Sequence, residues 1–117
     1  MRESEVRVCD VFGVPPAVLR EREGLMSRLR DACEEAGLTI LDEVHHEFES
    51  GGEGFTSVLL LVESHLAVHT WPEEEYVALT LDTSWQRNLT AELVDEMLAE
   101  IPHDSVTVET VARQQTR

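Results

Sequence analysis

The chain has 117 residues and a mass of 13.2 kDa, and its 24 acidic against nine basic residues give a formal charge of −15, every basic residue being arginine. Such a balance repels a phosphate backbone and excludes nucleic acid as a partner, and no run approaches the ~20 apolar residues of a membrane span. The length allows one core, hence a single domain over residues 1–117, near the size at which oligomerisation often completes burial.

The acidity fits either a solvated surface or a field that attracts a cationic substrate. Cys9 and Cys33 make no disulfide framework and lack metal-motif spacing, so both are expected to be reduced. No charged start precedes an apolar leader, and the expected compartment is the cytoplasm.

Val6 to Phe12 alternates and stops at Gly13, which predicts a first strand, and Val14-Pro15-Pro16 turns the chain. From Ala17 to Ala36, Leu25, Met26, Leu29, Ala32, Cys33 and Ala36 fall at helical spacing, with Gly37 placed to end an amphipathic helix. Cys33 lies on the apolar stripe, as packing. Leu38 to Phe48 alternates as a second strand with Leu38, Ile40, Val44, His46 and Phe48 on one face. The Gly-rich stretch Glu49 to Gly54 reads as a turn, because it lacks the lysine and following helix of a phosphate loop.

Val58 to Val62 is apolar on both faces and too short to span a membrane, so it is expected to be a central strand covered on both sides. If the strand direction continues, period two places Thr56, Val58, Leu60, Val62 and Ser64 on one side and His65, Ala67, His69 and Trp71 on the other. Judged alone, Ser64, His65 and His69 read as polar residues at a strand edge, and His65 and His69 share a face that a metal ion would need. Trp71 to Glu75 connects this strand to another over Tyr76 to Thr83, as a hairpin. A second amphipathic helix over Thr90 to Ile101, a last strand over Ser105 to Val111 and a loose tail from Arg113 complete the chain. The predicted fold class is α+β, a two-layer sandwich with a mostly antiparallel sheet and two amphipathic helices on one face.

The eleven-residue run Glu63-Ser64-His65-Leu66-Ala67-Val68-His69-Thr70-Trp71-Pro72-Glu73 resembles the self-processing site of the prokaryotic S-adenosylmethionine decarboxylase proenzymes. The likeness extends from about Val6 to about Val111 and includes a first helix ending Glu34-Glu35-Ala36-Gly37 and a His46-Glu47-Phe48 segment where the family has His-x-Phe. What the resemblance implies is autocatalytic cleavage between Glu63 and Ser64, giving chains 1–63 and 64–117 and a pyruvoyl group derived from Ser64. Ser64 Oγ would attack the Glu63 carbonyl, β-elimination would follow, and hydrolysis of the dehydroalanine would release ammonia. His69 matches the acid/base position, a role suited to a group titrating near neutrality. Thr56, eight residues before Ser64, matches an assisting hydroxyl.

The pyruvoyl carbonyl would hold the substrate amine as a Schiff base and serve as electron sink. Glu73 matches a substrate-binding acid and Phe48 an aromatic that covers the substrate. Ser84 occupies the place of the family's proton-returning cysteine, and its hydroxyl is a far poorer acid than a thiol of pKa ~8.5. The implied substrate is S-adenosylmethionine, yielding the aminopropyl donor for spermidine, with processed protomers paired as homodimers. Two alternatives stay open: a pyruvoyl-dependent arginine or ornithine decarboxylase of the same family, and a non-processing homologue acting as a regulatory partner.

Overall fold

The computed structural model describes residues 2–49, 52–62, 64–84 and 87–115; for residues 2, 3, 84, 87–90, 114 and 115 it describes the backbone alone. Six strands run β1 Arg2–Phe12, β2 Ile40–Glu47, β3 Phe55–Leu61, β4 Ser64–Trp71, β5 Tyr76–Ser84 and β6 Ser105–Gln115. Three helices are described: α1 Pro16–Arg20, α2 Arg22–Glu35 and α3 Arg87–Ala99. The sheet order is β2-β3-β4-β5-β1-β6, with every neighbouring pair antiparallel. This is the α+β sandwich expected, with the first helix divided at Glu21, whose φ of −87° and ψ of 81° leave the helical region.

The core is the layer between one sheet face and the helices. Leu25, Met26, Leu29, Ala32 and Cys33 of α2 and Leu93, Val94 and Met97 of α3 are buried there with Cys9, Val11, Phe55, Leu59, Leu61, Leu66, Val68, Val77, Leu79 and Leu81 of the strands. Among the described residues of the single chain the other sheet face carries no layer, which corrects the expectation that Val58 to Val62 is covered on both sides. β3 lies second from the edge, with alternate residues buried, and Leu60 is 48% exposed. A run of large aliphatic residues does not by itself distinguish cover by helices from cover by a second molecule.

Two further face assignments change. Ser64 pairs with Leu61, so the chain reverses between them instead of continuing in one direction. That reversal puts Ser64 on the helix face and leaves Thr56, Val58 and Leu60 on the open face with His65, Ala67, His69 and Trp71. In β2 the register slips between Ile40 and Asp42, so Ile40 pairs with Leu61 on the helix face while Val44 and His46 pair with Val58 and Thr56 on the open face. One inserted residue exchanges the faces of everything beyond it. β6 also continues to Gln115, pairing with Arg2, so Arg113 to Gln115 belong to the sheet and not to a loose tail.

Candidate active site

At one end of the open face, β3 and β4 bring Thr56 opposite His69, and the Thr56 hydroxyl is hydrogen-bonded to His69 Nδ1 at 3.0 Å. The cross-strand pairing creates this contact, since the two residues are 13 apart in sequence. With Nδ1 as acceptor, the hydroxyl donates to it and fixes the ring with Nε2–H turned outward. A cleft of about 430 Å³ opens beside them, lined by Phe48, Gly54, Thr56, His69, Thr70, Trp71 and Glu73. Its described lining holds one carboxylate and neither lysine nor arginine, a charge pattern that suits a cationic guest.

The aromatic wall extends across the sheet. Trp71 stacks on Tyr76 at 5.2 Å between centroids, Tyr76 stacks on Phe12 at 5.2 Å, and the His69 ring lies 6.0 Å from Trp71. Tyr76 donates a short hydrogen bond to Asp10, and burial, with that bond second, pushes its hydroxyl up to about 12. Tyr76 therefore stays protonated and acts as a fixed prop for Trp71.

Below the cleft, Thr70 is buried and anchors two segments at once: its Oγ1 accepts from Phe55 N at 2.9 Å and donates to the Leu19 carbonyl at 3.1 Å. The sequence reading passed over Thr70, whose only signal was a hydroxyl on the inward parity of an apolar strand. The Gly-rich stretch also has more to do than turn. Gly52 has φ +105°, and a Cβ placed there would lie 1.5 Å from Glu73 Oε2, so the glycine lets the loop close on the Glu73 carboxylate. Arg20 holds that loop through the Gly52 carbonyl at 3.3 Å and Glu53 at 3.7 Å. On its far side, Arg22 and Arg30 of α2 tie down Glu43 and Glu47 of β2, which leads to Phe48.

The residues predicted to work together do not all meet within one chain. Thr56, His69, Glu73 and Phe48 converge on the cleft. Ser64 lies on the opposite sheet face and five residues along β4 from His69, a distance of about 16 Å at strand rise. Its Oγ is buried without a hydrogen-bond partner among the described residues. Ser84 is placed by its backbone at the Ser64 end, next to Thr83, which pairs with Ser64; its side chain, like all of Glu63, lies outside the described residues.

His65 and His69 do share a face, but four residues of strand separate them by about 13 Å, too far for one metal ion with ligand bonds of ~2 Å. Cys9 and Cys33 face the core, where burial pushes both thiols up to about 11. Neither lines the cleft.

A family model described as S-adenosylmethionine decarboxylase matches residues 6–114. An S-adenosylmethionine decarboxylase proenzyme from Parasynechococcus marenigrum (strain WH8102) is 33% identical over 97 residues, covering 80% of this chain and 74% of that protein. An arginine decarboxylase proenzyme from Ignicoccus hospitalis is 33% identical over 79 residues, 68% of this chain, which spans just over half of that protein, 55%. Another S-adenosylmethionine decarboxylase proenzyme, from Prochlorococcus marinus (strain MIT 9313), is 36% identical over 76 residues, 65% of this chain and 59% of that protein. In fold, the chain matches the crystal structure of the adenosylmethionine decarboxylase from Aquifex aeolicus VF5 with a TM-score of 0.88, over 99% of this chain and 94% of that one, at 21% identity. With nearly its whole length matched by one family model, and with relatives at a third identity, this chain belongs to the S-adenosylmethionine decarboxylase family.

Proposed function

We propose that the protein is a self-processing, pyruvoyl-dependent decarboxylase acting on S-adenosylmethionine. The observation that carries this reading is the Ser64 hydroxyl: buried, unpaired among the described residues, and on the first residue of β4. An unsatisfied buried hydroxyl costs about 1–3 kcal/mol, which a purely structural serine has no reason to bear. Ser64 Oγ forms an ester with the carbonyl carbon of Glu63 as the peptide C–N bond breaks, and elimination and hydrolysis leave residue 64 as the head of the 64–117 chain. The pyruvoyl group made there supplies an electron sink for loss of carbon dioxide.

The chain's own residues bind and orient. Glu73 attracts the cationic substrate and accepts hydrogen bonds from it, and Phe48 and Trp71 cover it. His69, fixed by Thr56, moves protons, while Ser84 stands at the Ser64 end, where the carbanion must be protonated. The product would serve as aminopropyl donor for spermidine. Buried free thiols at Cys9 and Cys33 suit the cytoplasm.

The 16 Å between Ser64 and His69 supports a homodimer. The open face exposes Phe12, Val44, Phe48, Leu60, Trp71 and Val111, an apolar surface of the kind that marks an interface. A two-fold axis lying in the plane between the two open faces, and running across the strands, reverses one sheet on the other, and so sets the Ser64 end of one protomer against the cleft end of its partner.

A relative named for arginine supports a second reading, since a basic amino acid would also meet Glu73. Mass measurement of the purified protein after incubation, followed by reductive trapping with each substrate, separates the readings. Two fragments divided between Glu63 and Ser64, with an S-adenosylmethionine-derived adduct on the downstream one, are expected. An arginine or ornithine adduct would transfer the assignment to the amino acid, and an intact 13.2 kDa chain would end both in favour of a non-processing partner.

Gly52→Ala provides a narrower check on Glu73. The variant is expected to cleave at the wild-type rate but to raise KM about tenfold, the loss of one hydrogen bond to a charged group. Unchanged KM would show that Glu73 does not hold the substrate.

A further inference from the structure

One row of the helix face crosses the sheet from Ser64 through polar residues that the proposed mechanism has not used. Ser64 of β4 pairs with Thr83 of β5, and Thr83 pairs in turn with Glu5 of β1. Residues directly opposite in antiparallel strands share a face with Cβ atoms ~4.5–5.5 Å apart, so the three side chains form a continuous file. Thr83 is 8% and Glu5 7% exposed, and the Ser64 Oγ is wholly enclosed. Arg7, the next residue of β1 on that face, adds Nη2 at 3.4 Å from Glu5 Oε2 and a buried Nε with no partner among the described residues.

We propose that Thr83 and Glu5 form the proton relay for the first step of self-cleavage at Ser64, an inference that rests on the pyruvoyl reading above. Ser64 Oγ, which makes no hydrogen bond in the resting chain among the described residues, turns about χ1 to the Thr83 hydroxyl and gives it its proton as that hydroxyl gives its own to the Glu5 carboxylate. The Oγ–C bond to the carbonyl of Glu63 forms, and the C–N bond between Glu63 and Ser64 breaks. The proton on Glu5 returns along the same hydroxyl to the freed nitrogen of residue 64, so charge is conserved and the carboxylate is restored. His69 of the same chain cannot serve this step, because its ring is on the other face and about 16 Å away. Its work belongs to the later elimination, where the Ser64 Cα–H, diverging from a side chain that points to the helices, leans toward the open face.

The full chain is used for the test, with the fraction cleaved followed by mass against time in wild type, Thr83→Val, Thr83→Ser, Glu5→Gln and Glu5→Asp. Thr83→Val and Glu5→Gln are expected to slow cleavage at least tenfold, while Thr83→Ser recovers a rate within threefold of wild type. Glu5→Asp, shorter by one methylene, should fall between. A merely structural role predicts the opposite order at position 83, since valine preserves shape and serine does not. Equal rates for Thr83→Val and Thr83→Ser, or a wild-type rate in Glu5→Gln, would overturn the relay while leaving the pyruvoyl reading intact. A wild-type chain that never cleaves would overturn both.

Discussion

Ser64→Ala is expected to leave a single intact species of wild-type chain length after any incubation, with no decarboxylation above the uncatalysed rate. The loss is complete because Ser64 supplies both the attacking oxygen and the atoms of the electron sink. The second half of the expectation concerns stability. The removed hydroxyl is buried with no described partner, so its deletion relieves a desolvation penalty of about 1–3 kcal/mol and opens only a very small cavity. Ser64→Ala should therefore unfold in denaturant at a midpoint equal to or above that of uncleaved wild-type chain. A lower midpoint would show that Oγ has a structural partner and would remove the argument that its burial serves chemistry.

Complementation between two inactive chains is the second large effect. His69→Ala alone and Ser64→Ala alone are each expected to remain uncleaved. Coexpressed at equal levels they assort at random, and about half of the His69→Ala chains then sit opposite a Ser64→Ala partner that brings an intact His69 to their Ser64. About half of the His69→Ala chains should thus be cut, and the two chains are told apart by mass. The physical basis is the separation within one protomer: about 16 Å and a sheet lie between the Ser64 and His69 side chains. Complete absence of cleavage in the mixture, with both variants folded, would show that His69 acts within its own chain after a rearrangement of β4. Cleavage of His69→Ala alone would remove the residue from processing altogether.

Thr56 shows how local pattern and tertiary pairing differ as guides. Sequence parity put its hydroxyl on the same face as Ser64, which would make it a direct helper of the nucleophile. The chain reverses between Leu61 and Ser64, which makes Thr56 the partner of His69 instead. Tight reversals usually announce themselves with asparagine or glycine, and the sequence between Leu61 and Ser64 holds neither, so this one left no signal. The slipped register near Ile40 was equally silent, and it moved Val44 and His46 to the open face.

Gly52 is a milder case. Glycine is read from sequence as freedom to turn, and its φ of +105° bears that out. What the sequence cannot convey is that the missing Cβ makes room for a carboxylate 21 residues further on, a contact that exists only because the loop folds over the Trp71-Pro72-Glu73 turn.

The sequence by itself determined the family, the α+β class and the apolar stripes of α2 and α3, and through the family resemblance it named Phe48, Thr56, His69 and Glu73. Those properties are carried by residue type and short-range period, which the chain displays before it folds. Only the tertiary structure decided that one sheet face is open, that Ser64 and His69 stand at opposite ends and on opposite faces of the sheet, and that Thr83 and Glu5 lie in file with Ser64. Each of these depends on register between strands distant in sequence, and a shift of one residue in a turn exchanges every side chain beyond it from one face to the other.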